Sequence, residues 1–369
     1  MPRSSTATER RRPLPNADAV PDHGASILPA VRVTSYNLAL RAGDGYLGDR
    51  ANKRAFYRCL DQWRAVARLG GDDPFGVEDS SALGRKALER AYDGRDARPA
   101  ATVQGAIESF ANALADVATT FLVRVWPGVQ RIAVGGGFRR GRIGEVAIAR
   151  TQALLRARGV EIGLVPIADH PDAAGLLGGV HLLPQAALAE SDALLAVDIG
   201  GSNLRCGLLR LRHAKDDDAL APRPKLAALE RWRHRDEPVG RDAMIDTMAR
   251  MLERLIAEAA QRRWRLARHV VVGCPGQIAA DGGIGRGTQN LPGDWSAPAF
   301  HLPSALQRRL PRIGRARTQV LMHNDAVVQG LSQLRLMRDI ERWAILTIGT
   351  GLGNAAFENV AVATAARRR

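Results

Sequence analysis

A carboxylate followed closely by two glycines lies near the middle of the chain. The segment LLAVDIGGSNLRCGLL, residues 194 to 209, has an apolar run ending at Asp198, a turn with Gly200 and Gly201, and a second apolar run. Glycines accept positive φ and let backbone amides approach a ligand, and Ser202 adds a hydroxyl. This strand, turn and strand suit a phosphate and its metal ion. An ordinary glycine hairpin has the same composition, so both interpretations stay open on this segment alone.

Two further glycine turns follow predicted strands. The turn in RWAILTIGTGLGNAAF contains Gly349, Thr350, Gly351 and Gly353. The turn in RIAVGGGFRRGR contains Gly135, Gly136 and Gly137. Each turn alone is a weak signal, but three in one chain point to a polyphosphate ligand. The GxGxxG spacing of a dinucleotide-binding fold is absent, which disfavours that alternative.

An acid without neighbouring glycines lies at another predicted strand-to-helix junction. The segment QVLMHNDAVVQGLSQL predicts a strand that ends at His323-Asn324-Asp325, with a helix directly behind it. A carboxylate at this position can take a proton from a hydroxyl group. The alternative is a helix cap, for which Asn324 or Asp325 would serve equally well.

The elements that position these residues form an α/β pattern. Between residues 131 and 183 the order is strand, glycine turn, helix, strand and helix, as in half of an α/β domain. Residues 101 to 123 predict a helix with a regular apolar face, formed by Val103, Ile107, Phe110, Leu114, Val117 and Phe121. The polar segment CPGQIAADGGIGRGTQNLPGDW is a long loop of the kind that tends to carry function. Residues 184 to 192 are predicted to be a linker.

Composition narrows the possible partners and location. The net charge of +15 raises nucleic acid as a partner, but the basic residues are nearly all arginines scattered among acids, and aromatic residues are 5%. We therefore expect no nucleic-acid partner. Three widely spaced cysteines fit neither a disulfide framework nor a zinc motif, and no apolar stretch approaches the roughly 20 residues of a membrane span. The sequence predicts a cytoplasmic protein with no membrane partner and a disordered tail at residues 1 to 29.

Four motifs, taken together and in this order, resemble the ROK family of sugar kinases. They are DIGGSNLRCGLL, the loop GCPGQIAADGGI…QNLPGDW, the HNDA turn and LTIGTGLGN. The family belongs to the actin/hexokinase/Hsp70 ATPase superfamily. The resemblance implies an α/β, two-domain actin-like ATPase (ribonuclease H-like) fold with a nucleotide/sugar cleft between the domains. It also implies Mg-ATP-dependent phosphorylation of a hexose hydroxyl, glucokinase-like, and the alternative is a relative that binds or senses sugar without catalysis.

The resemblance assigns roles residue by residue, with ATP and Mg²⁺ as cofactors and a small-molecule sugar as partner. The first phosphate loop would consist of Gly200, Gly201, Ser202 and Asn203. The second would consist of Gly349, Thr350, Gly351 and Gly353, and adenosine would lie near Gly135, Gly136 and Gly137. Asp198 would lie near the magnesium ion, Asp325 would be the catalytic base, and the sugar hydroxyls would be held by Asn290 and Asn324. No zinc site is expected, and a homodimer is compatible with the sequence.

The order of the motifs departs from the family, whose large C-terminal portion follows the second phosphate loop. Here segments resembling that portion precede residue 184, which indicates a circular permutation with new termini near the second phosphate loop. A fusion of fragments from two kinases is the rival interpretation. The predicted domains are a tail (1–29), half of the large domain with the adenosine motif (30–184), a small domain with the first phosphate loop and sugar loop (185–318), and a large-domain return (319–369).

The usual Glu-x-Gly-His segment and zinc cluster are also missing, and Asn354 replaces a glycine after Gly353. Candidate replacements for the missing segment are Glu358, Asn359, Asp44, Asp49 and Arg50. A shifted substrate and a loss of catalysis are both consistent with these changes.

Overall fold

A computed structural model describes residues 19–213, 222–237 and 239–360. Its strands are β1 (Val31–Tyr36), β2 (Arg41–Ala42), β3 (Gly45–Tyr46), β4 (Arg131–Gly135), β5 (Gly163–Pro166), β6 (Ala193–Ile199), β7 (Leu204–Arg212), β8 (Arg223–Trp232), β9 (Leu266–Cys274), β10 (Arg312–Ile313), β11 (Ala316–Arg317), β12 (Gln319–Asn324), β13 (Arg342–Ile348) and β14 (Leu352–Asn359). Its α-helices are α1 (Lys53–Leu69), α2 (Arg85–Asp93), α3 (Ala97–Arg124), α4 (Arg142–Ala157), α5 (Pro171–Leu177), α6 (Gln185–Leu188), α7 (Arg241–Gln261), α8 (Leu302–Arg309), α9 (Asp325–Leu331) and α10 (Leu334–Met337).

The first large sheet has the strand order β12-β9-β6-β7-β8. Strands β6, β7 and β8 are antiparallel neighbours, whereas β9 runs parallel to β6 and β12 runs parallel to β9. The amphipathic α7 covers this sheet with a buried apolar face that includes Met244, Met248 and Leu252. Because β12 pairs with β9, residues 319–324 join the sheet of the predicted small domain and not the large-domain return to which we assigned them.

The second large sheet repeats the same arrangement with the order β1-β14-β13-β4-β5. Strands β13, β14 and β1 are antiparallel neighbours, while β4 runs parallel to β13 and β5 parallel to β4. Two α/β units with this shared strand order are the ribonuclease H-like arrangement of an actin-like fold, so the predicted fold class is confirmed. In this sheet β13 and β14, which correspond to β6 and β7 of the first sheet, come late in the sequence. The strands that correspond to β8, β9 and β12 are β1, β4 and β5, and they come early.

Strands β14 and β1 bring the two ends of the described chain together. Asn359 lies opposite Val31, and Val360 N donates to Ala30 O at 3.2 Å. These residues are at the end of β14 remote from Gly351, and a strand of this length spans about 26 Å. The termini themselves lie outside the described residues, so the expectation that they lie near the second phosphate loop stays a prediction.

Helix α3 forms the middle of the layer that covers the second sheet. Among the described residues it is the one helix with the length and apolar content to cross a membrane, which the sequence analysis did not anticipate. It packs between α1 and α4, and its predicted apolar face, from Val103 to Phe121, is buried. We therefore interpret α3 as a core helix.

Two segments predicted to be irregular are packed. Gly24 N donates to Met322 O at 3.0 Å, Ala25 O lies 3.1 Å from His323 Nε2, and Leu28 is buried, so residues 23 to 25 lie beside β12 and the segment up to Leu28 is packed and not a disordered tail. The rest of that predicted tail, residues 1–18, lies outside the described residues. The predicted linker 184–192 contains α6, and its Leu188 is fully buried in the core.

Helices α5 and α9 lie against each other between the two sheets. Helix α5 follows β5, the last strand of the second sheet, and α9 follows β12, the last strand of the first. The carboxyl ends of the parallel strands, where α/β proteins bind their ligands, therefore carry both the glycine turns and the starts of these helices.

Candidate active site

The first glycine turn joins β6 to β7, and a hydrogen bond from Gly200 N to Asn203 O, 2.9 Å long, closes it. Neither Gly200 nor Gly201 has a positive φ, so the conformational reason we gave for these glycines is wrong. Gly201 is needed for a close approach, because a Cβ there would lie 2.8 Å from the Cβ of Asn290. The structure thus brings the exposed Asn290 of the long loop onto the first turn.

The second glycine turn joins β13 to β14 and touches the first. Gly349 N donates to Gly351 O at 2.9 Å, and the hydroxyls of Thr350 and Ser202 lie 3.3 Å apart. A Cβ on Gly351 would meet no atom within 4 Å, so this turn has open space beside it. Gly353 has a different role within β14, because a Cβ there would lie 2.3 Å from Thr347 Oγ1.

The third glycine turn follows β4 and lies beside the second. Gly136 has a φ of +85°, and a Cβ there would lie 2.4 Å from Ile348 O, so both its conformation and its surroundings require glycine. A Cβ on Gly135 would collide with Gln329, whereas Gly137 has open space. Gly136 N donates to Gln329 Oε1 at 2.8 Å. Helix α9 therefore holds this turn in place through Gln329, a residue that sequence reasoning missed.

Asn324 is the cap of α9, which decides between the two alternatives at the HNDA turn. Its Oδ1 accepts hydrogen bonds from Ala326 N at 3.0 Å and Val327 N at 3.4 Å. Its Nδ2 donates to Gly276 O at 3.0 Å. Because Asn324 performs the capping, Asp325 is not needed as the cap of α9. The role of Asn324 in sugar binding stays a prediction.

Asp198 and Asp325 lie at the carboxyl ends of β6 and β12, which are separated in the sheet by β9. Burial, reinforced by the negative charge of Asp198, raises the pKa of Asp325 to about 7. Burial also raises the pKa of Asp198, against the opposing charge of Arg205, whose Nη1 lies 2.9 Å from Asp198 Oδ2. No ion pair to Asp325 occurs within the described part of the chain. A carboxyl group that exchanges its proton near neutral pH has the property required of a general base.

Arg205 links Asp198 to a second acid, Asp172 at the start of α5. Its Nη2 lies 2.8 Å from Asp172 Oδ1, and Arg140 and Arg231 also pair with Asp172, Arg231 at 3.6 Å. These arginines hold the pKa of Asp172 below its usual value in spite of its burial. The network was not predicted. Its one sequence signal was the charged Arg205 within an apolar strand.

The residues present fit a magnesium ion that is held mainly by donor phosphates. Mg²⁺ usually takes one or two protein carboxylates, together with phosphate and water oxygens. Asp198 has one oxygen paired with Arg205 and its charge reaches Asp325, and the turn that carries the Ser202 hydroxyl follows it in the chain. Among the described residues no group of three or more His, Cys, Asp or Glu side chains could hold a metal ion by itself.

Some of the candidate replacements for the missing substrate segment lie at the wrong end of the sheet. Glu358 and Asn359 lie at the far end of β14, where the Asn359 side chain bonds to Trp343 Nε1 and to two backbone carbonyls. The segment 44–52 lies beside the second turn, because a Cβ on Gly48 would be 3.3 Å from Leu352 Cβ. Asp44, Asp49 and Arg50 belong to this segment, and their contact with substrate stays a prediction.

Asn354, which replaces a family glycine, has a structural task. Its Oδ1 accepts from Leu38 N and its Nδ2 donates to Leu38 O, both at 3.0 Å. Asn37 N also donates to the carbonyl of Asn354 at 2.9 Å. The side chain therefore extends the pairing of β14 beyond the end of β1, and the change from glycine is explained without a change in chemistry.

No family model matches the sequence, and no curated protein is detectably similar to it. Among solved structures, a ROK hexokinase from Thermus thermophilus is similar at 20% identity and a TM-score of 0.32, over 44% of this chain and 46% of that one. A ROK family protein from Streptococcus pneumoniae, in complex with sucrose, is similar at 24% identity and a TM-score of 0.28, over 45% and 46%. An exopolyphosphatase from Cytophaga hutchinsonii is similar at 15% identity and a TM-score of 0.26, over 52% and 55%.

This chain spans about half the length of each of these three structures. At such identities and TM-scores the similarity identifies no activity. The family that the sequence motifs resemble is nevertheless also represented among the solved structures to which this chain is similar: sugar kinases of the ROK family.

Proposed function

We propose that this protein is an ATP-dependent hexose kinase, glucokinase-like, with Asp325 as its base. The observation that carries the proposal is the position of Asp325, which begins α9, is released from capping by Asn324 and has a pKa of about 7. It lies among the same strand ends as the two touching glycine turns. Phosphoryl transfer from a nucleotide to a hydroxyl needs this combination of phosphate-binding turns and a positioned base.

In the proposed reaction the sugar hydroxyl lies between Asp325 and the γ-phosphorus of ATP. The bond from the hydroxyl oxygen to phosphorus forms as the bond from phosphorus to the β–γ bridging oxygen breaks, and ADP leaves. The hydroxyl proton passes to the Asp325 carboxylate and then to solvent. Backbone amides of the turns at 200–203 and 349–351 hold the phosphates, and Gln329 keeps the turn at Gly136 in position for the adenosine.

Magnesium, carried by the donor phosphates beside Asp198, supplies positive charge to the transferring phosphoryl group. Arg205 fixes the orientation of the Asp198 carboxylate through its ion pair with Oδ2. The contact between the hydroxyls of Ser202 and Thr350 holds the two turns side by side, so that both can bind the same phosphate chain.

We also propose that the chain order is a circular permutation of the ROK order. In its support, the second sheet repeats the strand order of the first although its strands come from both ends of the chain. The hydrogen bond from Val360 N to Ala30 O closes the gap that a conventional hairpin turn would fill. The rival fusion of fragments needs a partner chain to complete each site, whereas here β4 of the early portion pairs with β13 of the late portion, and Gly136 N donates to Gln329 Oε1, within one chain.

The activity is tested with purified protein, Mg-ATP and a panel of hexoses and amino-sugars, with ADP release as the measurement. We expect sugar-dependent release with at least one hexose. Absence of release with every sugar, together with a sugar-induced thermal shift, would overturn the kinase in favour of a binding protein. We place the enzyme in a reducing cytoplasm, in keeping with its three unpaired cysteines, and a homodimer remains compatible with this function.

The permutation is tested by joining Arg369 to Met1 with a short Gly/Ser linker and opening the chain between the exposed Ala189 and Glu190. Breaks are tolerated in exposed loops when the original ends are close in space. The rearranged protein is expected to keep the melting temperature and the kcat of the parent chain. An unfolded or inactive product would show that this order is not equivalent to the family's.

A further inference from the structure

Basic residues from both halves of the molecule surround the place where the two phosphate turns meet. Lys53 begins α1, and its backbone N donates to Gly349 O in the second turn at 2.9 Å. From the other half, the short 3-10 helix His234–Asp236 packs on the first turn. These two attachments are part of the backbone, so they bring the side chains of both segments to the turns regardless of side-chain conformation.

The attachment of the 3-10 helix to the first turn is double. Buried His234 directs its Nε2 at Gly200 O, 2.8 Å away, and Arg235 N donates to Ser202 O at 3.4 Å. Burial lowers the pKa of His234, so the imidazole is neutral at pH 7 and donates this bond from Nε2. The arginines on either side of it, Arg233 and Arg235, are exposed.

The charges in this cluster repel one another. The pKa of Lys53 is lowered, first by burial and then by Arg233 and Arg235, which places the three cations within electrostatic range across the junction. Arg233 pairs with Asp236 at 2.8 Å. Within residues 19–213, 222–237 and 239–360, no carboxylate forms an ion pair with Lys53 or Arg235. Lys53 and Arg235, each attached through its backbone to one of the two turns, therefore lack a carboxylate counter-ion in this part of the structure.

We infer that Lys53 and Arg235, assisted by Arg233, form a phosphate-binding cluster that spans the two halves and binds the terminal phosphates of the donor. This inference rests on the proposed function for the identity of the donor. The ligand class is a triphosphate chain, whether or not it carries a nucleoside. Lys53 belongs to one half and Arg233 and Arg235 to the other, so the bound phosphates hold the two turns together, and without them the cations oppose closure.

The test is a binding titration of the full chain with Mg-ATP, inorganic tripolyphosphate and AMP. Lys53→Ala and Arg235→Ala are each expected to weaken ATP and tripolyphosphate binding about tenfold, the usual size of one charge-assisted contact, and to leave AMP binding unchanged. Lys53→Arg should recover most of the affinity because it keeps the charge. The rise of Kd with salt should be shallower in both alanine variants.

Matched controls lie at the other end of β8. Lys225 and Arg223 are exposed and are about seven or more residues from the turn, which is roughly 23 Å along a strand. Lys225→Ala and Arg223→Ala should bind all three ligands as the wild type does. A general loss of charge would instead weaken binding equally in the control variants and overturn the cluster.

The outcomes separate the cluster from the kinase. An active wild type whose Lys53→Ala and Arg235→Ala variants bind ATP normally would overturn the cluster and leave the kinase in place. A wild type that phosphorylates no sugar but binds tripolyphosphate through Lys53 and Arg235 would support the cluster and overturn the kinase. A wild type that binds neither ATP nor tripolyphosphate would overturn both.

Discussion

Two aspartates occupy matching positions in the two halves of the molecule and have opposite electrostatic surroundings. Asp172 near the start of α5 and Asp325 at the start of α9 both lie in an H-x-D-A sequence after the last strand of a five-stranded sheet. Asp172 pairs with three arginines, and its pKa is lowered. Asp325 faces Asp198 instead, and its pKa is raised to about 7.

The local sequence sets the position of each acid, whereas its burial and the charged side chains around it set its protonation behaviour. A permanently ionised Asp172 serves as an anchor for Arg205 and Arg140. An Asp325 that titrates near neutral pH can accept a proton. Substituting each acid by its amide is therefore the sharpest way to test whether the two differ in role.

Asp325→Asn is expected to have the largest effect, a loss of about a thousandfold in kcat, because the amide cannot accept the hydroxyl proton. Sugar binding, followed by thermal shift, should be retained. The variant should also be more stable than the wild type at pH 8, since it removes a carboxylate whose ionisation is disfavoured by burial. Wild-type turnover in this variant would remove Asp325 from the mechanism.

Asp172→Asn is expected to act on stability and much less on rate. Removing this side chain's charge leaves Arg205 and Arg140 without their shared partner in a largely buried site, at a cost of about 3 kcal/mol in the free energy of unfolding. Urea unfolding gives the measurement. Asp116→Asn, which breaks the exposed pair with Arg158, is the control and should cost less than about 1 kcal/mol.

The proposed difference in role between the two acids would be wrong if Asp172→Asn kept full stability and lost as much kcat as Asp325→Asn. That result would assign the two acids one shared catalytic function. The geometry instead favours a gain in stability at pH 8 with a loss of kcat in Asp325→Asn, and a loss of stability with little change of kcat in Asp172→Asn.

The pH dependence separates the two acids without mutation. Asp325 acts in its deprotonated form, so kcat/KM should fall about tenfold per pH unit below pH 7 and level off above it. The folded protein binds this proton more tightly than the unfolded chain, so Asp325 lowers stability as the pH rises from about 4 to 7. Asp172 has a lowered pKa, so its contribution is present above its unfolded pKa and is lost in acid.

A rate profile that stays flat from pH 8 to pH 5, measured with saturating Mg-ATP and limiting sugar, would contradict the assignment of the base. The Asp172→Asn variant should keep the wild-type profile, because its carboxylate is ionised throughout this range. A shift of the profile in that variant would show that Asp172 tunes Asp325 through Arg205.

The sequence predicted those parts of the site that depend on local chemistry. Glycine turns after apolar strands, and an acid at a strand-to-helix junction, are encoded within a few residues, so the turns at Gly200, Gly349 and Gly136 follow strands and Asp325 begins a helix as expected, while their functional roles stay predictions. The fold class followed from the α/β pattern and the family resemblance. The helical face of α3 followed from its apolar period.

The sequence did not predict which residues far apart in the chain contact each other. Gln329 meets Gly136, and Arg205 bridges Asp198 and Asp172, across separations in the chain that no local pattern reports. The assignment of β12 to the wrong half has the same origin, because an apolar strand fits either sheet equally well. The reason given for Gly201 failed because a close contact from Asn290, and not a backbone angle, requires the glycine.

The N-terminal caps of α9 and α5 also differ between the two halves, and their removal is expected to have smaller effects on the free energy of unfolding. Asn324→Ala should lower the free energy of unfolding by about 2 kcal/mol, since it removes the α9 cap and the bond to Gly276 O. The exposed His170 caps α5 through one bond of 3.2 Å to Asp172 N, and His170→Ala should cost about 0.5 kcal/mol. Asn324→Ser keeps a capping oxygen and should recover about half of the loss.

If Asn324 also holds a sugar hydroxyl, as the family resemblance implies, the KM for sugar rises in the serine variant although the cap is restored. An unchanged KM shows that Asn324 is a cap alone.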